Sequence, residues 1–352
     1  MAAKLTILYL GPHYGTSCHR ALSLGRLGHR VRIVDPGSFL PSGRLTDYWI
    51  YHTGAYCLDG FIRTRVLGAI RSAKFDLVWV DWGDLICAGL VRDLKRQARF
   101  VINYNVDDPY GPRDGFKWRL YLRSVPFYDL VVVVRDCNVA EAYKCGAVDV
   151  LRVNRSSDEV AHAPRKLSPG DLAKWGSEVA FIGTWMPERG PFLARLVELG
   201  VPLTIWGDRW AKAKQWPILR PHWRGPGLYK NDDYAMAVQC AKVCIGLLSK
   251  GNRDLCTQRS FEIPHLGGVL CAERTSEHLA LYAEDIEAVF WNDPDECAEK
   301  CNRLLSDEAW RNQVAQKGRL RSIRNGTTNE VVVNQIVARA FNRVPEEVVV
   351  RE

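Results

Sequence analysis

Residues 250–275 read KGNRDLCTQRSFEIPHLGGVLCAERT, and this stretch decides the fold that the sequence predicts. One apolar run, AKVCIGLL at 241–248, precedes it, and another, VLCAE at 269–273, lies near its end. Short apolar runs of this kind are typical of strands buried in a parallel sheet. The residues between them therefore form a loop and a helix at the carboxyl edge of the sheet, where open α/β sheets bind ligands.

The charged side chains of this stretch fit a ligand that carries both phosphate and sugar. Arg259 and Glu262 are three residues apart and share one face of the predicted helix. The loop before this helix contains Lys250, Arg253 and Asp254. Cations beside a helix N-terminus suit phosphate, and a carboxylate one turn further on suits sugar hydroxyls. The combination fits a nucleoside diphosphate sugar. The same spacing also fits a surface helix with an internal Arg–Glu pair.

The length and the order of elements predict two domains, since 352 residues suit two domains of ~150 residues each. Strands and helices alternate through residues 1–165, and the alternation starts again in residues 166–328. We therefore predict an α/β fold with two tandem Rossmann-like domains that face each other across a cleft. A last helix and tail at 329–352 is expected to return to the first domain.

Composition narrows the class of protein. No apolar run approaches the ~18 residues of a membrane span, and the start MAAKLTILYLGP has no signal-peptide pattern, so we expect a cytoplasmic protein. The 11 cysteines are scattered and form no CxxC pair, which favours reduced core thiols and predicts no metal site.

The first half of the chain is the basic half. Residues 1–165 hold 23 Lys and Arg against 16 Asp and Glu, within a total net charge of +8. A basic helix face of Arg92, Lys95, Arg96 and Arg99 and the segment FKWRLYLRSVPFY at 116–128 suggest an anionic acceptor, a nucleic acid or a peripheral site on the inner face of the membrane. A solvated helix face and a half-buried helix are the alternatives.

Two loops of the first half contain candidate acceptor residues. The loop GPHYGTS follows the first strand and contains Gly11, Tyr14, Gly15 and Thr16; it lacks the GxGxxG fingerprint, which disfavours a nicotinamide cofactor. The loop NVDDPYGPRDG follows a later strand and contains Asp107 and Asp108. Paired acids at a sheet edge could orient an acceptor hydroxyl or act as a base, and they also fit a turn rich in Asp, Pro and Gly.

The second half resembles the GT-B glycosyltransferases, and within that fold the bacterial spore-maturation-type, CgeB-like family. The segments that carry the resemblance are FIGTWMPERGPFL at 181–193, TIWGDRW at 204–210, RSFEIPHLGGVLCAE at 259–273 and VFWNDPDE at 289–296. The first half resembles the same family more loosely, through YGTSCHRALSLGRLGH and NVDDP.

The resemblance implies transfer of a sugar from a nucleoside diphosphate donor, with UDP favoured over GDP, to an acceptor hydroxyl and without a metal or other cofactor. Similar retaining enzymes have two glutamates separated by seven residues; here Glu262 fits the second position, and Asp254 replaces the first. The other donor residues that the resemblance implies are Arg189, Arg259 and Lys250 for the pyrophosphate and Gly183, Thr184, Trp206, Gly207 and Asp208 for the pocket.

The stereochemistry of transfer decides whether a protein base is needed. A retaining reaction needs none, because the leaving phosphate can take the acceptor proton. An inverting reaction needs Asp107, Asp108 or His13 as the base.

Two other functions stay open at the sequence level. A nucleotide-sugar epimerase also combines Rossmann-like domains, but it has no acceptor to explain the basic first half. A protein that binds or glycosylates nucleic acid would use the positive charge instead.

Overall fold

The computed structural model of the protein describes residues 4–71, 73–229 and 232–341. Among these, residues 4–71, 73–155, 251–253 and 329–341 form one compact unit, and residues 156–229, 232–250 and 254–328 form a second. The predicted domain boundary lies after residue 165, and the longest continuous part of the first unit ends at Arg155. The tail predicted at 342–352 lies outside the described residues.

The first unit is built on a six-stranded parallel sheet. Its strands are β1 (Thr6–Leu10), β2 (Arg30–Val34), β3 (Phe75–Asp81), β4 (Ala98–Asn105), β5 (Leu130–Val133) and β6 (Val150–Arg152). They lie in the order β2-β1-β3-β4-β5-β6. The helices between them are α1 (Gly15–Arg26), α2 (Arg44–Thr53), α3 (Asp59–Ile70), α4 (Ala88–Lys95), α5 (Arg119–Ser124) and α6 (Asp136–Lys144).

Both faces of this sheet are covered, which explains why its central strands are continuous apolar runs. On one face, Leu8 and Val78 pack with Ile62 of α3 and Leu90 of α4. On the other face, the aromatic residues Tyr9, Trp79 and Tyr104 lie in a core that includes Leu24 of α1.

The second unit repeats this architecture with its own six-stranded parallel sheet. Its strands are β7 (Ser177–Ile182), β8 (Leu203–Trp206), β9 (Trp223–Gly225), β10 (Ala241–Gly246), β11 (Leu270–Glu273) and β12 (Val289–Trp291), in the order β12-β11-β10-β7-β8-β9. Its helices are α7 (Pro169–Trp175), α8 (Arg189–Glu198), α9 (Trp216–Leu219), α10 (Asp233–Gln239), α11 (Arg259–His265), α12 (Ser276–Leu281), α13 (Pro294–Ser306) and α14 (Glu308–Arg324). The predicted order of strand, loop, helix and strand around residues 250–275 is confirmed by β10, α11 and β11.

The last helix, α15 (Asn329–Ala340), belongs to the first unit. Its buried Val333 and Ile336 complete the core that contains Tyr9 and Trp79. Ion pairs at both ends hold it in place: Glu330 pairs with Arg26 of α1 at 2.5 Å, and Arg339 pairs with Asp149 at 2.8 Å.

The structure corrects the basic helix face that the sequence predicts. Helix α4 ends at Lys95, and Arg99 lies on β4, so the four cations do not share one helix. Three of the four pair with acids: Lys95 with Asp129, Arg96 with Asp93 and Arg99 with Asp76. These pairs remove much of the positive potential that the sequence predicts for this surface.

The segment 116–128 is also more buried than a membrane-surface helix would be. Trp118 and Tyr121 are almost inaccessible to solvent, and Lys117 lies beside Asp107 and over the Trp118 ring. This corresponds to the half-buried alternative. Among the described residues, no helix combines the length and the apolar character needed to cross a bilayer.

Candidate functional site

In the second unit, five of the predicted donor residues meet where β7 and β8 end. The backbone N–H of Gly183 donates to the carbonyl of Trp206 at 2.8 Å, which continues the β7–β8 ladder beyond the strands. The loop after Thr184 then turns toward the loop after Gly207, where the N–H of Trp185 donates to the carbonyl of Asp208 at 2.9 Å. The two loops form one surface at the carboxyl edge of the sheet, as predicted from the segments 181–193 and 204–210.

Gly207 is required where these loops cross. Its φ is +154°, and a Cβ atom at this position would lie 1.9 Å from the carbonyl oxygen of Gly183. The same oxygen accepts a hydrogen bond from the indole N–H of Trp210 at 3.0 Å. Any larger residue at 207 would have to push the two loops apart.

The Asp208 carboxylate is held by a third loop. One oxygen accepts a hydrogen bond from the Tyr229 hydroxyl at 2.6 Å, and the other accepts from the backbone N–H of Gly227 at 3.2 Å. Tyr229 is one of the most exposed aromatic side chains of the unit. The contact places an exposed ring beside the loops that contain Gly183 and Gly207.

Glu262 of α11 lies at the centre of a buried charged cluster. Its side chain is 2% exposed; Arg259, one turn earlier, donates from Nη1 to Oε2, and His162 Nε2 lies 3.4 Å from Oε1. Nδ1 of His162 accepts a hydrogen bond from the backbone N–H of Asp158 at 2.8 Å, so Nε2 carries the proton that faces the glutamate. The predicted Arg259–Glu262 pair forms, but Glu262 is far more buried than a surface helix would make it.

The surroundings of Glu262 keep it ionised. Burial alone would raise its pKa, but the nearby His162 and Arg259, together with Tyr234, lower the pKa below the ordinary value. Arg259 is further fixed by a hydrogen bond from Nε to the carbonyl of Ile182 at 3.3 Å and by the Tyr234 ring, whose centroid lies 4.0 Å from the guanidinium carbon. About a third of the Arg259 side chain remains exposed, which leaves it available to a ligand.

The other two predicted pyrophosphate cations are engaged differently. Arg189, at the start of α8, is buried and donates to the carbonyls of Thr184, Leu247 and Leu248 at 2.8, 3.2 and 3.2 Å. It joins the loop after β7 to the loop after β10. Lys250 is half exposed, and its ammonium pairs with the Glu273 carboxylate at the end of β11.

Asp254 lies in the loop between Lys250 and α11, and it is buried. Its backbone N–H donates to the carbonyl of Ser249 at 3.4 Å, which closes the turn through this loop. The proposed equivalence of Asp254 to the first glutamate of the retaining pattern stays a prediction.

In the first unit, the loops after β1, β2 and β3 enclose a cavity of about 690 Å³ at the carboxyl edge of the sheet. Gly11 and Tyr14, two of the predicted acceptor residues, line it, together with Asp84 after β3 and Lys117. Gly15 and Thr16 begin α1 next to these residues. His13 is exposed in the same loop but is not part of the cavity wall.

The predicted acid pair is split between two environments. Asp107 lies 3.7 Å from the Lys117 ammonium. Asp108 is 1% exposed, and it accepts hydrogen bonds from Arg253 at 2.6 and 2.7 Å and from Asn138 at 2.8 Å. Burial would raise the pKa of Asp108, but these donors hold it below the ordinary value. Its carboxylate is therefore occupied by an internal ion pair, and a role as base would require Arg253 to leave.

Three residues of these sites do not appear among the sequence candidates. His162 falls in the polar stretch 154–176, where the sequence shows neither helical nor strand periodicity, so no pattern points to it. Asp84 follows β3 and could have been found by the rule that selected Asp107, since both follow a strand at the same sheet edge. Arg253 belongs to the opening stretch, but nothing in its spacing pointed to Asp108.

Among the described residues, one group of side chains has the composition of a metal site. The thiols of Cys271 on β11 and of Cys297 and Cys301 on α13 lie within 4.8 Å of one another. All three are fully buried in the core that contains Val289 and Leu304. Burial raises the pKa of Cys297, whereas hydrogen bonds with Cys271 and Cys297 lower the pKa of Cys301. An apolar enclosure without a nearby cation disfavours the several thiolates that a metal needs. We interpret the group as packed thiols.

A protein-family model and several solved structures match this chain. Residues 189–338 match a family model described as glycosyl transferase-like. The chain is similar to the crystal structure of Anabaena HepE in complex with UDP and glucose, with a TM-score of 0.66 and 12% identity over 96% of this chain and 99% of that one.

Two further solved structures are similar over nearly their whole length. Sucrose-phosphate synthase from Thermosynechococcus elongatus has a TM-score of 0.66 and 12% identity, over 96% of this chain and 100% of that one. A trehalose-6-phosphate synthase has a TM-score of 0.65 and 11% identity, over 97% of this chain and 100% of that one. No curated protein sequence matches the chain.

From its likeness to these solved structures the chain has the GT-B fold of glycosyltransferases, and its residues 189–338 match the glycosyl transferase-like family.

Proposed function

We propose that this protein is a glycosyltransferase that moves a sugar from a nucleoside diphosphate donor, with UDP favoured over GDP, to an acceptor hydroxyl. The observation that carries the proposal is the family match over 189–338, which contains the Arg259–Glu262 pair at the carboxyl edge of the second sheet. The similar HepE has been solved in complex with UDP-glucose, which supports a UDP-sugar donor.

The chemistry assigned to the second unit is stabilisation of the leaving group. As the glycosidic bond stretches, negative charge collects on the pyrophosphate, and a fixed cation beside it lowers the barrier. Arg259 suits this role because its orientation is set by Glu262, Ile182 and Tyr234 before any ligand arrives. Arg189 would act mainly by holding the loops after β7 and β10, since backbone carbonyls occupy its guanidinium.

We further propose that the transferred sugar retains its anomeric configuration and that the reaction needs no metal ion. Retention is supported by the likeness to a trehalose-6-phosphate synthase whose structure was used to study glycosyl transfer with retention. In a retaining reaction the leaving phosphate oxygen takes the acceptor proton as the new glycosidic bond forms. Stabilisation of the leaving group by Arg259 would take the place of a metal ion.

The CgeB-like placement, the cytoplasmic location and the anionic partner also belong to the proposal. The first rests on the segments 181–193 and 259–273, the second on composition and the third on the charge of residues 1–165. Pairing of Lys95, Arg96 and Arg99 with acids weakens the case for membrane attachment through this surface.

A binding screen tests the donor. Thermal unfolding is measured with UDP, GDP, ADP and UDP-glucose, because a ligand that binds the folded protein stabilises it by RT ln(1 + [L]/Kd). We expect UDP and UDP-glucose to give the largest shifts, and we expect the same shifts with EDTA present. Absence of a shift with every nucleotide would contradict the proposal.

Two measurements separate the other candidate functions. A nucleotide-sugar epimerase would convert UDP-glucose to an isomer without any acceptor, which NMR of the nucleotide sugar would show. A nucleic-acid-binding protein would shift DNA or RNA on a gel and lose the shift steeply with salt. For a transferase we expect UDP release that depends on an acceptor, and the anomeric configuration of the product would report retention.

A further inference from the structure

The cavity in the first unit has the size and the aromatic lining of a carbohydrate site. Its volume of about 690 Å³ lies within the range of small-molecule pockets. Tyr14 and Tyr51 contribute rings to the wall that are 71% and 42% exposed. Exposed aromatic rings on a concave wall are apolar surfaces on which the faces of a sugar ring can pack. Trp82 lies on the same wall.

The electrostatic character of this cavity is opposite to that of the chain as a whole. Four aspartates line it, and Lys117 is the cation on its wall among the described residues. Asp81 is neutralised by Arg20, which binds it at 2.9 Å, and Lys117 lies 3.7 Å from Asp107. The negative charge that remains comes from the other three aspartates on the wall, which are Asp35, Asp47 and Asp84.

These three carboxylates act on the same part of the cavity. All three line the cavity together with Tyr14, and partial burial and their negative charges raise the pKa of the Tyr14 hydroxyl. Burial also raises the pKa of Asp84, an effect that Lys117 opposes and Asp107 reinforces. A phosphate or carboxylate entering here would meet like charge in a partly desolvated site, which is unfavourable.

We propose that this cavity binds the acceptor, and that the acceptor is a polyhydroxyl compound without negative charge, such as a neutral or amino sugar, whose hydroxyls are held by Asp84 and whose ring packs on Tyr14. The role of this compound as an acceptor rests on the proposed function, but its binding to the cavity can be measured without a donor. It concerns this cavity alone: among the described residues Lys117 is the cation on its wall, and an anionic partner inferred from net charge would bind the basic surface outside the cavity.

The test uses three matched probes with the full-length protein: glucose, glucosamine and glucose 6-phosphate. Saturation-transfer difference NMR at equal concentrations measures binding without donor or turnover. We expect signals from glucose and glucosamine and a much weaker signal from glucose 6-phosphate. Because a hydrogen bond to a charged group contributes roughly 1.5–3 kcal/mol, Asp84→Asn should weaken glucose binding about tenfold or more.

Control variants separate binding from folding. Asp136→Asn removes a carboxylate of the same unit that is 80% exposed and does not line the cavity, so it should bind like the parent. If Asp84→Asn fails to fold, Asp47→Asn on α2 provides the second cavity variant, with the same expected direction. Tyr14→Ala should reduce the signals from all sugars, since its effect is independent of charge.

The outcomes are distinguishable from those of the donor screen. Equal or stronger signals from glucose 6-phosphate, no signal from any probe, or unchanged glucose binding in folded Asp84→Asn and Asp47→Asn would each overturn the acceptor proposal. A protein that binds glucose through Asp84 but shows no thermal shift with UDP would leave this site standing and overturn the transferase. A protein that binds UDP but none of the sugar probes would leave the transferase standing and overturn the acceptor proposal.

Discussion

The Nε2 atom of His162 lies 3.4 Å from Oε1 of Glu262, and the two side chains are 6% and 2% exposed. The residues are 100 positions apart in the sequence, and the contact joins the stretch before α7 to the first turn of α11. With Arg259 on the other carboxylate oxygen, Glu262 has charged or polar partners on both sides. A ribose hydroxyl at Glu262 would therefore have to share the carboxylate with these partners.

Substitution of Glu262 is expected to affect both folding and donor binding. Glu262→Gln leaves Arg259 and the buried His162 without their anionic partner, and breaking a buried pair costs roughly 3 kcal/mol. If the carboxylate also binds ribose, UDP affinity should fall about tenfold or more. Urea unfolding and calorimetric titration with UDP measure the two effects.

The matched control for Glu262 is Glu178→Gln. Glu178 pairs with Lys242, and both side chains are about half exposed, so its loss should cost less than about 1 kcal/mol. Parent-like UDP affinity in folded Glu262→Gln would remove Glu262 from the donor site and leave it a structural role.

Arg259→Ala is expected to lower kcat more than it raises KM for the donor. The charge on the leaving pyrophosphate is greatest near the transition state, so a cation there acts mainly on turnover. Arg259→Lys should recover only part of the activity, because lysine lacks the planar fork that contacts Glu262 and Ile182 together. Arg195→Ala, which removes an exposed arginine paired with Asp295 on the same unit, is the control. Full activity in Arg259→Ala would show that the pair is structural only.

The sheets of both units could be predicted because local patterns determine them. Buried parallel strands such as β3 and β10 are continuous apolar runs, and turns at glycine separate them from helices, so the alternation is visible without knowledge of contacts. Helix ends were less predictable. The helix that contains Arg92 and Lys95 begins at Ala88 in the structure, where the Cys87 thiol accepts a hydrogen bond from the Leu90 N–H at 3.4 Å. Residue preferences do not indicate a cysteine at this capping position.

Pairs of charged side chains were predictable where one segment contains both partners. Arg259 and Glu262 lie one turn apart, so helical spacing alone brings them together. Asp108 and Arg253 are separated by 145 residues, and no local pattern shows that an acid in a loop rich in Asp, Pro and Gly will be buried against that arginine. Net charge likewise does not show which basic residues are paired, as Lys95, Arg96 and Arg99 are.

The Arg253 ion pairs should contribute strongly to the stability of the first unit. Arg253 binds both Asp108 and Glu141, with four hydrogen bonds between 2.6 and 2.8 Å. Arg253→Ala leaves the Asp108 carboxylate buried without its cation, which costs roughly 3–5 kcal/mol.

A second substitution distinguishes this ion-pair effect from loss of packing. Asp108→Asn in the Arg253→Ala background removes the buried charge, so the double variant should be more stable than Arg253→Ala alone. Chemical unfolding followed by circular dichroism checks the order, and equal stability of the two variants would contradict it.

His265 should make the protein less stable in mild acid. Burial, with smaller contributions from His162 and Arg319 and an opposing one from Asp158, lowers the pKa of His265 to about 4. Above the ordinary histidine value of ~6.5 neither the folded nor the unfolded chain is protonated here, so there is no contribution. Between that value and about pH 4 the unfolded chain takes up a proton that the folded chain excludes, so unfolding becomes easier by roughly 3 kcal/mol.

His265→Gln cannot be protonated, and its free energy of unfolding should therefore fall less than that of the parent between pH 7 and pH 4.5. Urea unfolding at the two pH values measures the difference, with the exposed His13→Gln as the control expected to follow the parent. Parallel loss of stability in parent and His265→Gln would show that His265 accepts its proton in the folded protein as readily as in the unfolded chain.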